Sequence, residues 1–140
     1  MSIQVVPYLN FDGACAEAFD FYTKLFDGKI TFLMSFGDSP MKDHVPVEDH
    51  GAILHATLEL PGGQTIQGSD APGDRYHKPA GFAVSITLDT VEQAHHVFKE
   101  LTKGGVETMA IQETFWAKAF GMVTDRFAIP WMINVDKPMN

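Results

Sequence analysis

Apolar residues recur with the period of an α-helix between Gly13 and Asp27. They lie three and four positions apart, with charged residues between them, and are Cys15, Ala18, Phe19, Tyr22, Leu25 and Phe26. This spacing predicts an amphipathic helix that packs its apolar side on a sheet. Asp12 is the predicted N-cap, and Gly28 is the predicted left-handed residue after the helix end.

A second helix is predicted to start after Thr90. Thr90 and Gln93 have the spacing of a capping box, and Gly104-Gly105 end the helix. The apolar stripe of this helix is formed by Ala94, Val97, Phe98 and Leu101.

The remaining apolar segments mostly alternate with a period of two, as strands do. The predicted strands are Ile3–Leu9, Lys29–Phe36, Ala52–Leu60, Gln64–Ser69, Phe82–Leu88, Val106–Gln112, Phe115–Thr124 and Ala128–Val135. Residues 37–50 lack periodicity and are predicted to form a long exposed loop, a possible lid.

One order of elements occurs twice along the chain, a strand and a helix followed by three strands. We therefore predict two βαβββ modules, at about 1–70 and about 80–136, within a single domain over residues 1–140. In this α+β fold a helix covers the outer face of each sheet, and the inner faces are free to enclose a cavity.

Composition and charge narrow the classes of function. The chain has 140 residues and a net charge of −8, which argues against binding to nucleic acid or to an anionic membrane surface. Its single cysteine, Cys15, excludes an internal disulfide, and no apolar run approaches the length of a membrane span. We expect a cytoplasmic protein without a targeting or anchoring segment.

Several segments together resemble the PhnB branch of the vicinal oxygen chelate superfamily. They are Pro7–Phe11, Ala18–Tyr22, His55-Ala56, Gly68–Asp70, Glu113–Ala117, Phe120–Phe127 and Pro130–Val135. That superfamily includes glyoxalase I, extradiol dioxygenases, fosfomycin-resistance enzymes and bleomycin-binding proteins. The resemblance implies the glyoxalase/bleomycin-resistance-type fold of paired βαβββ modules, with homodimers common, and does not select one activity.

Enzymes of the superfamily usually hold a divalent metal through His, Gln or Glu side chains. Carried over from the resemblance, the ligand positions fall on Pro7, Gln67, Phe82 and Met132. Proline and phenylalanine have no donor atom, a thioether suits soft metals, and only the Gln67 amide suits a hard cation. We therefore expect no tightly held metal and no cofactor. Ala128 replaces a glycine of the family pattern, so a positive φ there would be strained.

Two polar groups are candidates for chemistry. His55, with Thr57 and Glu59 on one strand face, is a weak candidate for an acid/base residue, the alternative being an ordinary strand surface. The acidic and histidine residues of loop 37–50 either bind a metal adventitiously or form a solvated loop, which we favour. These loop residues are Asp43, His44, Glu48, Asp49 and His50.

Large polarizable side chains are candidates for a ligand pocket. Trp116, Phe120, Phe82, Met34 and Met132 line the predicted cavity or pack in the core, whereas Ile129, Trp131 and Ile133 are predicted to be core residues. Lys118 is either a partner for an anionic ligand or a surface lysine.

The favoured function is binding of a small, partly apolar molecule in the cavity without a tightly held metal. The predicted ligand-binding residues are His55, Gln67, Phe82, Trp116, Phe120 and Met132. The alternative is a metal-dependent glyoxalase/dioxygenase-type enzyme; a metal-free enzyme with His55 as base and Gln67 as hydrogen-bond donor is a third hypothesis. Neither GxGxxG nor GxxxxGK[ST] occurs, so nucleotide binding of those types is not predicted, and a methyltransferase label given to some relatives finds no support.

Overall fold

Residues 1–138, the part of the chain that the computed structural model describes, form two units with the same order of elements. Unit 1 is Met1–His77, and unit 2 begins at Lys78. Unit 1 contains β1 (Tyr8–Phe11), α1 (Cys15–Phe26), β2 (Lys29–Ser35), β3 (Ile53–Glu59) and β4 (Thr65–Asp70). Unit 2 contains β5 (Val84–Thr87), α2 (Val91–Thr102), β6 (Val106–Gln112), β7 (Ala117–Thr124) and β8 (Pro130–Asp136).

Each unit contains one four-stranded mixed sheet. The strand orders are β1-β4-β3-β2 and β5-β8-β7-β6. In both sheets the first and last strands of the unit pair in parallel, and the other neighbours are antiparallel. The predicted α+β fold of paired βαβββ modules is confirmed, whereas the single domain and the inner cavity stay predictions. Within residues 1–138, neither helix has the length and apolar character needed to cross a membrane.

The helix of each unit covers one face of its own sheet. α1 buries Cys15, Ala18, Phe19 and Tyr22, and α2 buries Ala94, Val97, Phe98 and Leu101. Glycines permit the close approach, because a Cβ on Gly68 would lie 2.9 Å from the Phe19 ring and one on Gly121 2.9 Å from the Phe98 ring.

Alternate strand residues point away from the helix and form what we call the open face of each sheet. Open face 1, in unit 1, carries Tyr8, Asn10, Phe32, Met34, His55, Thr57, Gln67 and Ser69. Open face 2, in unit 2, carries Ser85, Thr87, Met109, Phe120, Met122, Met132 and Asn134.

The start of α1 differs from the prediction. Asp12 is not the N-cap; Ala14 occupies that position and provides no side-chain cap. Instead the buried Asp70 carboxylate, at the end of β4, accepts a hydrogen bond from Cys15 N at 3.0 Å and another from Ile53 N at 2.9 Å. A residue distant in sequence therefore satisfies the helix amide and ties α1 to β3.

The end of α1 also differs, since Asp27 and not Gly28 adopts the left-handed conformation, with φ 54°. Gly28 is needed for close packing, because a Cβ there would lie 2.8 Å from the Glu59 carbonyl oxygen. The start of α2 is as predicted: Thr90 and Gln93 form a capping box.

Bulges and a shorter first strand change which residues share a face. β1 begins at Tyr8, five residues later than predicted, so Ile3 lies before the sheet. A register shift separates Ile30 from Phe32, which places only Phe32 on open face 1. A second shift lets Ile53 join the buried side, although strict alternation along β3 would place it on the same face as His55.

Ala128 has φ 72°, so the turn before β8 does place alanine in the left-handed region. The buried Asp125 carboxylate holds this turn, accepting hydrogen bonds from Phe127 N at 2.9 Å and Ile129 N at 3.0 Å. The strain predicted for alanine is therefore present, and the fixed carboxylate opposes it.

Candidate functional site

A groove of about 270 Å³ lies in unit 2. Its lining residues are Gly81, Phe82, Ala83, Thr108, Met122, Val123, Thr124, Pro130, Trp131 and Met132. None of these side chains is titratable, and the polar side-chain groups among them are two threonine hydroxyls and the Trp131 indole N–H, which donates to Asp125. The groove therefore suits a small apolar molecule with one or two hydrogen-bonding groups.

A row of methionines crosses open face 2. Met122 lies opposite Met109 on β6 and opposite Met132 on β8, and Ser85 continues the row on β5. Register partners on neighbouring strands have their Cβ atoms about 5 Å apart, so the thioethers form one polarizable surface. Because Met122 and Met132 also line the groove, this surface contributes part of its wall.

The helix side of the same strands holds this surface in place. Ile129, Trp131 and Ile133 are at most 1% exposed, as predicted for core residues. The Trp131 indole N–H donates to Asp125 Oδ2 at 2.9 Å, which fixes the start of β8 beside the groove.

Two of the predicted aromatic residues pack on each other at the start of β7. The Trp116 and Phe120 ring centroids are 5.4 Å apart, and Phe115 lies 4.9 Å from Trp116. Phe120 and Met122 are alternate residues of β7 and share open face 2, so the aromatic pair borders the methionine row. Trp116 keeps 41% of its surface exposed and is available to a ligand.

His55 lies on open face 1 with both ring nitrogens near hydroxyl groups. Tyr8 Oη is 3.1 Å from Nδ1, and Thr57 Oγ1 is 3.2 Å from Nε2. The Tyr8 and Phe32 rings lie 5.6 Å and 5.7 Å from the imidazole centroid. The predicted neighbour Thr57 thus contacts His55, whereas no hydrogen bond links Glu59 to His55 within residues 1–138.

The strand register shows which side chains lie opposite Gln67 and Met132, two of the residues to which the resemblance carries the family's metal-ligand positions. Pro7 and Phe82 both lie before the first residue of their strands. The residue opposite Gln67 is Tyr8, and the residue opposite Met132 is Ser85. Within its own unit, neither pair offers a carboxylate or an imidazole, so neither pair fits a hard divalent metal.

Other candidates lie apart from these surfaces. Loop 37–50 contains two short 3-10 turns, Lys42–His44 and Val47–Asp49, and His50 Nε2 lies 2.9 Å from the Lys42 carbonyl oxygen. In the described chain, residues 1–138, no three His, Cys, Asp or Glu side chains come together as a metal-binding group. Lys118, by contrast, is exposed on β7 and alternates with the buried Ala117 and Ala119, so it shares open face 2 with Phe120, although it does not line the groove.

The single cysteine is buried under α1. Burial, with the nearby Asp70 carboxylate, raises the pKa of the Cys15 thiol to about 12. The thiol is therefore a poor nucleophile in the folded protein, in agreement with its predicted place in the apolar stripe of the helix.

Of the six predicted ligand-binding residues, Phe82 and Met132 share the groove, and Trp116 and Phe120 share the aromatic pair. His55 and Gln67 lie on open face 1, with Thr57 opposite Gln67 in register. Sequence reasoning missed Met109, Met122 and Tyr8 as site residues. The alternation of β7 places Met122 with Phe120, but the contacts of Met109 and Tyr8 depend on register.

Comparison with known proteins gives consistent results. The family model described as 3-demethylubiquinone-9 3-methyltransferase matches residues 3–134. The chain is 36% identical to Protein YjdN of Escherichia coli strain K12 over 139 residues, with 94% of each chain covered.

Solved structures agree. Protein PA1353 from Pseudomonas aeruginosa is 37% identical, with a TM-score of 0.87, covering 98% of this chain and 100% of that one. The PhnB protein from Bacillus cereus is 26% identical, with a TM-score of 0.77 and coverage of 95% and 99%. A glyoxylase/bleomycin resistance protein/dioxygenase domain from Frankia sp. EAN1pec, 18% identical with a TM-score of 0.66 and coverage of 98% and 99%, shares the fold.

Proposed function

The chain belongs to the PhnB-like 3-demethylubiquinone-9 3-methyltransferase family, with the glyoxalase/bleomycin-resistance fold, and we propose that it binds a small, partly apolar molecule on open face 2. The ligand lies in the groove against Phe82, Met122 and Met132, and the Trp116–Phe120 pair extends the contact surface. No tightly held metal takes part in this proposal.

One observation carries this proposal: the groove is walled by methionine, phenylalanine and threonine side chains, without a titratable group. Thioethers and aromatic rings give dispersion contacts to a flat molecule, and methionine adapts its shape to the ligand. The Thr108 and Thr124 hydroxyls can each donate or accept a hydrogen bond, which selects a ligand with a polar edge. The volume of about 270 Å³ accommodates a small molecule.

Methyl transfer is not part of the proposal. The family model carries the name of a methyltransferase. However, the chain has no glycine-rich sequence that would cradle a nucleotide-like cofactor at a strand-to-helix turn. The groove also offers no titratable side chain that could remove a proton from a methyl acceptor.

A thermal-shift screen of flat aromatic fragments, without added metal, tests the proposal. A ligand that binds only the folded protein stabilises it by RT ln(1 + [L]/Kd), about 2.7 kcal/mol at a hundred times Kd. We expect hits that raise Tm, a smaller shift in Trp116→Ala, and partial recovery in Trp116→Phe. No hits, or hits unaffected by Trp116→Ala, would contradict the proposal.

The matched control is Phe32→Ala. Phe32 is 45% exposed on open face 1, close to the 41% of Trp116. A ligand bound on open face 2 keeps its Tm shift in this variant. Loss of the shift in Phe32→Ala alone would place the ligand on unit 1 instead.

A metal-dependent glyoxalase/dioxygenase-type enzyme is the competing function, and elemental analysis of the purified protein distinguishes the two. We expect substoichiometric nickel, zinc, manganese and iron, and fragment hits that survive chelation. A stoichiometric metal, with an activity lost on chelation, would replace the binding proposal.

The proposal also includes a homodimer, as the family resemblance implies, and a cytoplasmic location, as expected from the single cysteine. Light scattering of the purified protein tests for the homodimer, and we expect a mass of twice 15.5 kDa. Fractionation of the source cells tests the location.

A further inference from the structure

The hydrogen-bonded side chains of open face 1 form a chain through which a proton can move. His55 stands at its centre, with the Tyr8 hydroxyl at Nδ1 and the Thr57 hydroxyl at Nε2. Both separations lie within or at the limit of ordinary hydrogen bonds. Tyr8 comes from β1 and Phe32 from β2, the two edges of the sheet, so aromatic rings flank the imidazole from both edges.

The donor and acceptor roles of Tyr8, His55 and Thr57 follow from the chemistry of their side chains. A neutral imidazole has one N–H donor and one nitrogen acceptor, whereas a hydroxyl can take either role. With the proton on Nε2, His55 donates to Thr57 Oγ1, and Nδ1 accepts the Tyr8 hydroxyl proton. The Tyr8 oxygen then has lone pairs left to accept a hydrogen bond from a ligand.

We propose that open face 1 is a proton-transfer site for the weakly acidic hydroxyl group of a planar molecule, a phenol or an enol. The ligand hydroxyl donates to Tyr8 Oη. Its proton moves to that oxygen as the Tyr8 proton moves to His55 Nδ1. One O–H bond of the ligand breaks and one N–H bond of His55 forms, leaving a ligand oxyanion beside an imidazolium, with no oxidant required.

Tyr8 is the catalytic residue of this step, because it touches the ligand. His55 takes up the proton through Tyr8, because its Nδ1 lies 3.1 Å from the Tyr8 hydroxyl oxygen and can accept the hydroxyl proton. Thr57 is a positioning residue, since its hydroxyl accepts from Nε2–H before and after the transfer and orients the ring.

Gln67 provides the partner for the oxyanion. It lies opposite Tyr8 in the parallel β1–β4 register, and its side-chain amide forms no hydrogen bond within residues 1–138. The amide is thus available to donate to the ligand oxygen as charge develops.

None of the strand residues that surround His55 on this face is Asp, Glu, Lys or Arg. They are Tyr8 and Asn10 from β1, Gln67 and Ser69 from β4, Thr57 from β3, and Phe32 and Met34 from β2. The charged residues Lys29 and Glu59 pair in register at the end of β2 and β3. The imidazolium formed in the transfer is therefore the main charge for the oxyanion on this face.

The probe for this site is 4-nitrophenol, whose absorbance changes when it ionises. We expect the bound probe to ionise at a lower pH than the free probe, by about one pH unit or more, since the imidazolium stabilises the phenolate. Tyr8→Phe and His55→Gln are each expected to abolish this shift, because the first interrupts the path and the second cannot take the proton.

Thr57→Val is expected to reduce the shift, and Thr57→Ser to restore it. Tyr76→Phe and His77→Gln, outside the four strands of unit 1, are the matched controls and leave the shift unchanged. Circular dichroism verifies that each variant is folded. A probe that does not bind, a bound probe with unshifted ionisation, or a folded His55→Gln with the wild-type shift would overturn the proposal.

A second measurement needs no probe. The ring-nitrogen NMR shifts of His55 report which nitrogen carries the proton, and we expect Thr57→Val to change the ratio of the two tautomers. An unchanged ratio in Thr57→Val and in Tyr8→Phe would also contradict the proposal. This inference concerns unit 1 and does not rest on ligand binding in the groove of unit 2.

Discussion

The open faces of the two units differ far more than their folds do. The two sheets have equivalent strand orders, and in each sheet a helix covers one face. Open face 1 carries a tyrosine, a histidine, a threonine and amides in hydrogen-bonding positions. Open face 2 carries a row of methionines beside an aromatic pair. The helix side must exclude water and pack closely, whereas the open side is free to take different chemistry.

The two helices also start differently. α1 has no local side-chain cap and depends on the Asp70 carboxylate, which reaches it from β4. α2 begins with its own capping box, formed by Thr90 and Gln93. Unit 1 thus links its helix to the sheet through a buried charge, and unit 2 satisfies its helix locally. We therefore expect removal of the two caps to lower the free energy of unfolding by different amounts.

The largest expected effect is that of Asp70→Asn. The substitution removes the charge of a buried acceptor of two backbone amides, so we expect a loss of about 3 kcal/mol in the free energy of unfolding. Urea denaturation measures it. Asp12→Asn is the matched control, because Asp12 precedes the same helix without capping it; a change within about 0.5 kcal/mol is expected there. Equal losses in both variants would contradict the role of Asp70.

Because the Cys15 thiol of unit 1 is buried, we expect the free energy of unfolding to depend on pH in a way that a variant without the thiol does not show. The pKa of Cys15 is raised from 9.0 to about 12, so the unfolded chain loses this proton at a lower pH than the folded chain. The contribution of the protonated thiol to the free energy of unfolding is fully present below about pH 9, and it decreases as the pH rises towards about 12. The slope is about 1.4 kcal/mol per pH unit, or about 2 kcal/mol between pH 9 and 10.5.

Urea denaturation of the wild type and of Cys15→Ala at several pH values measures this slope. Comparison of the two slopes removes the contributions of tyrosine and lysine, which titrate in both proteins. Parallel slopes above pH 9 would show that the thiol is not protected by burial.

Thr90→Ala tests the local cap of unit 2, and we expect a smaller loss than for Asp70→Asn. Removal of a capping hydroxyl costs about 1 kcal/mol, because one amide of the first turn loses its partner. Thr90→Ser keeps that hydroxyl and serves as the control, with most of the stability retained. A loss from Thr90→Ala as large as that from Asp70→Asn would remove the contrast between the two helix starts.

The smallest expected effect on stability is that of Met122→Leu. The substitution preserves volume at the centre of the methionine row, so the free energy of unfolding changes by less than about 1.5 kcal/mol. Fragment hits from the thermal-shift screen are expected to bind several-fold more weakly, because the thioether and its flexible shape are lost. Met34→Leu, on open face 1, leaves their affinity unchanged if the groove is the binding site.

The sequence predicted those features of the structure that depend on residues close together in the chain. The capping box at Thr90 and the apolar stripes of both helices depend on residues within a few positions of each other, and the structure confirms them. The Asp70 cap joins residues 55 positions apart, and the Tyr8–His55 contact joins residues 47 positions apart. No periodicity within one segment predicts such pairs.

Register explains the remaining differences. The methionine row depends on a shift in the β6–β7 pairing that brings Met109 opposite Met122. The position of Tyr8 opposite Gln67 depends on the register of the parallel β1–β4 pair. A bulge, or a register slip of one residue, exchanges the residues of a strand's two faces. Trp131 and Ile133 were predictable because β8 pairs without a shift over those residues.

NMR of the protein with 13C-labelled methionine methyl groups, titrated with indole, tests the central claim most directly. The seven methionines include Met122 and Met132 in the groove, with Met34 on open face 1 and Met41 in loop 37–50 as internal references. We predict that the Met122 and Met132 methyl signals shift in a saturable way while those of Met34 and Met41 stay in place. Saturable shifts confined to Met34, or no shift of the groove methyls at any indole concentration, would contradict the account.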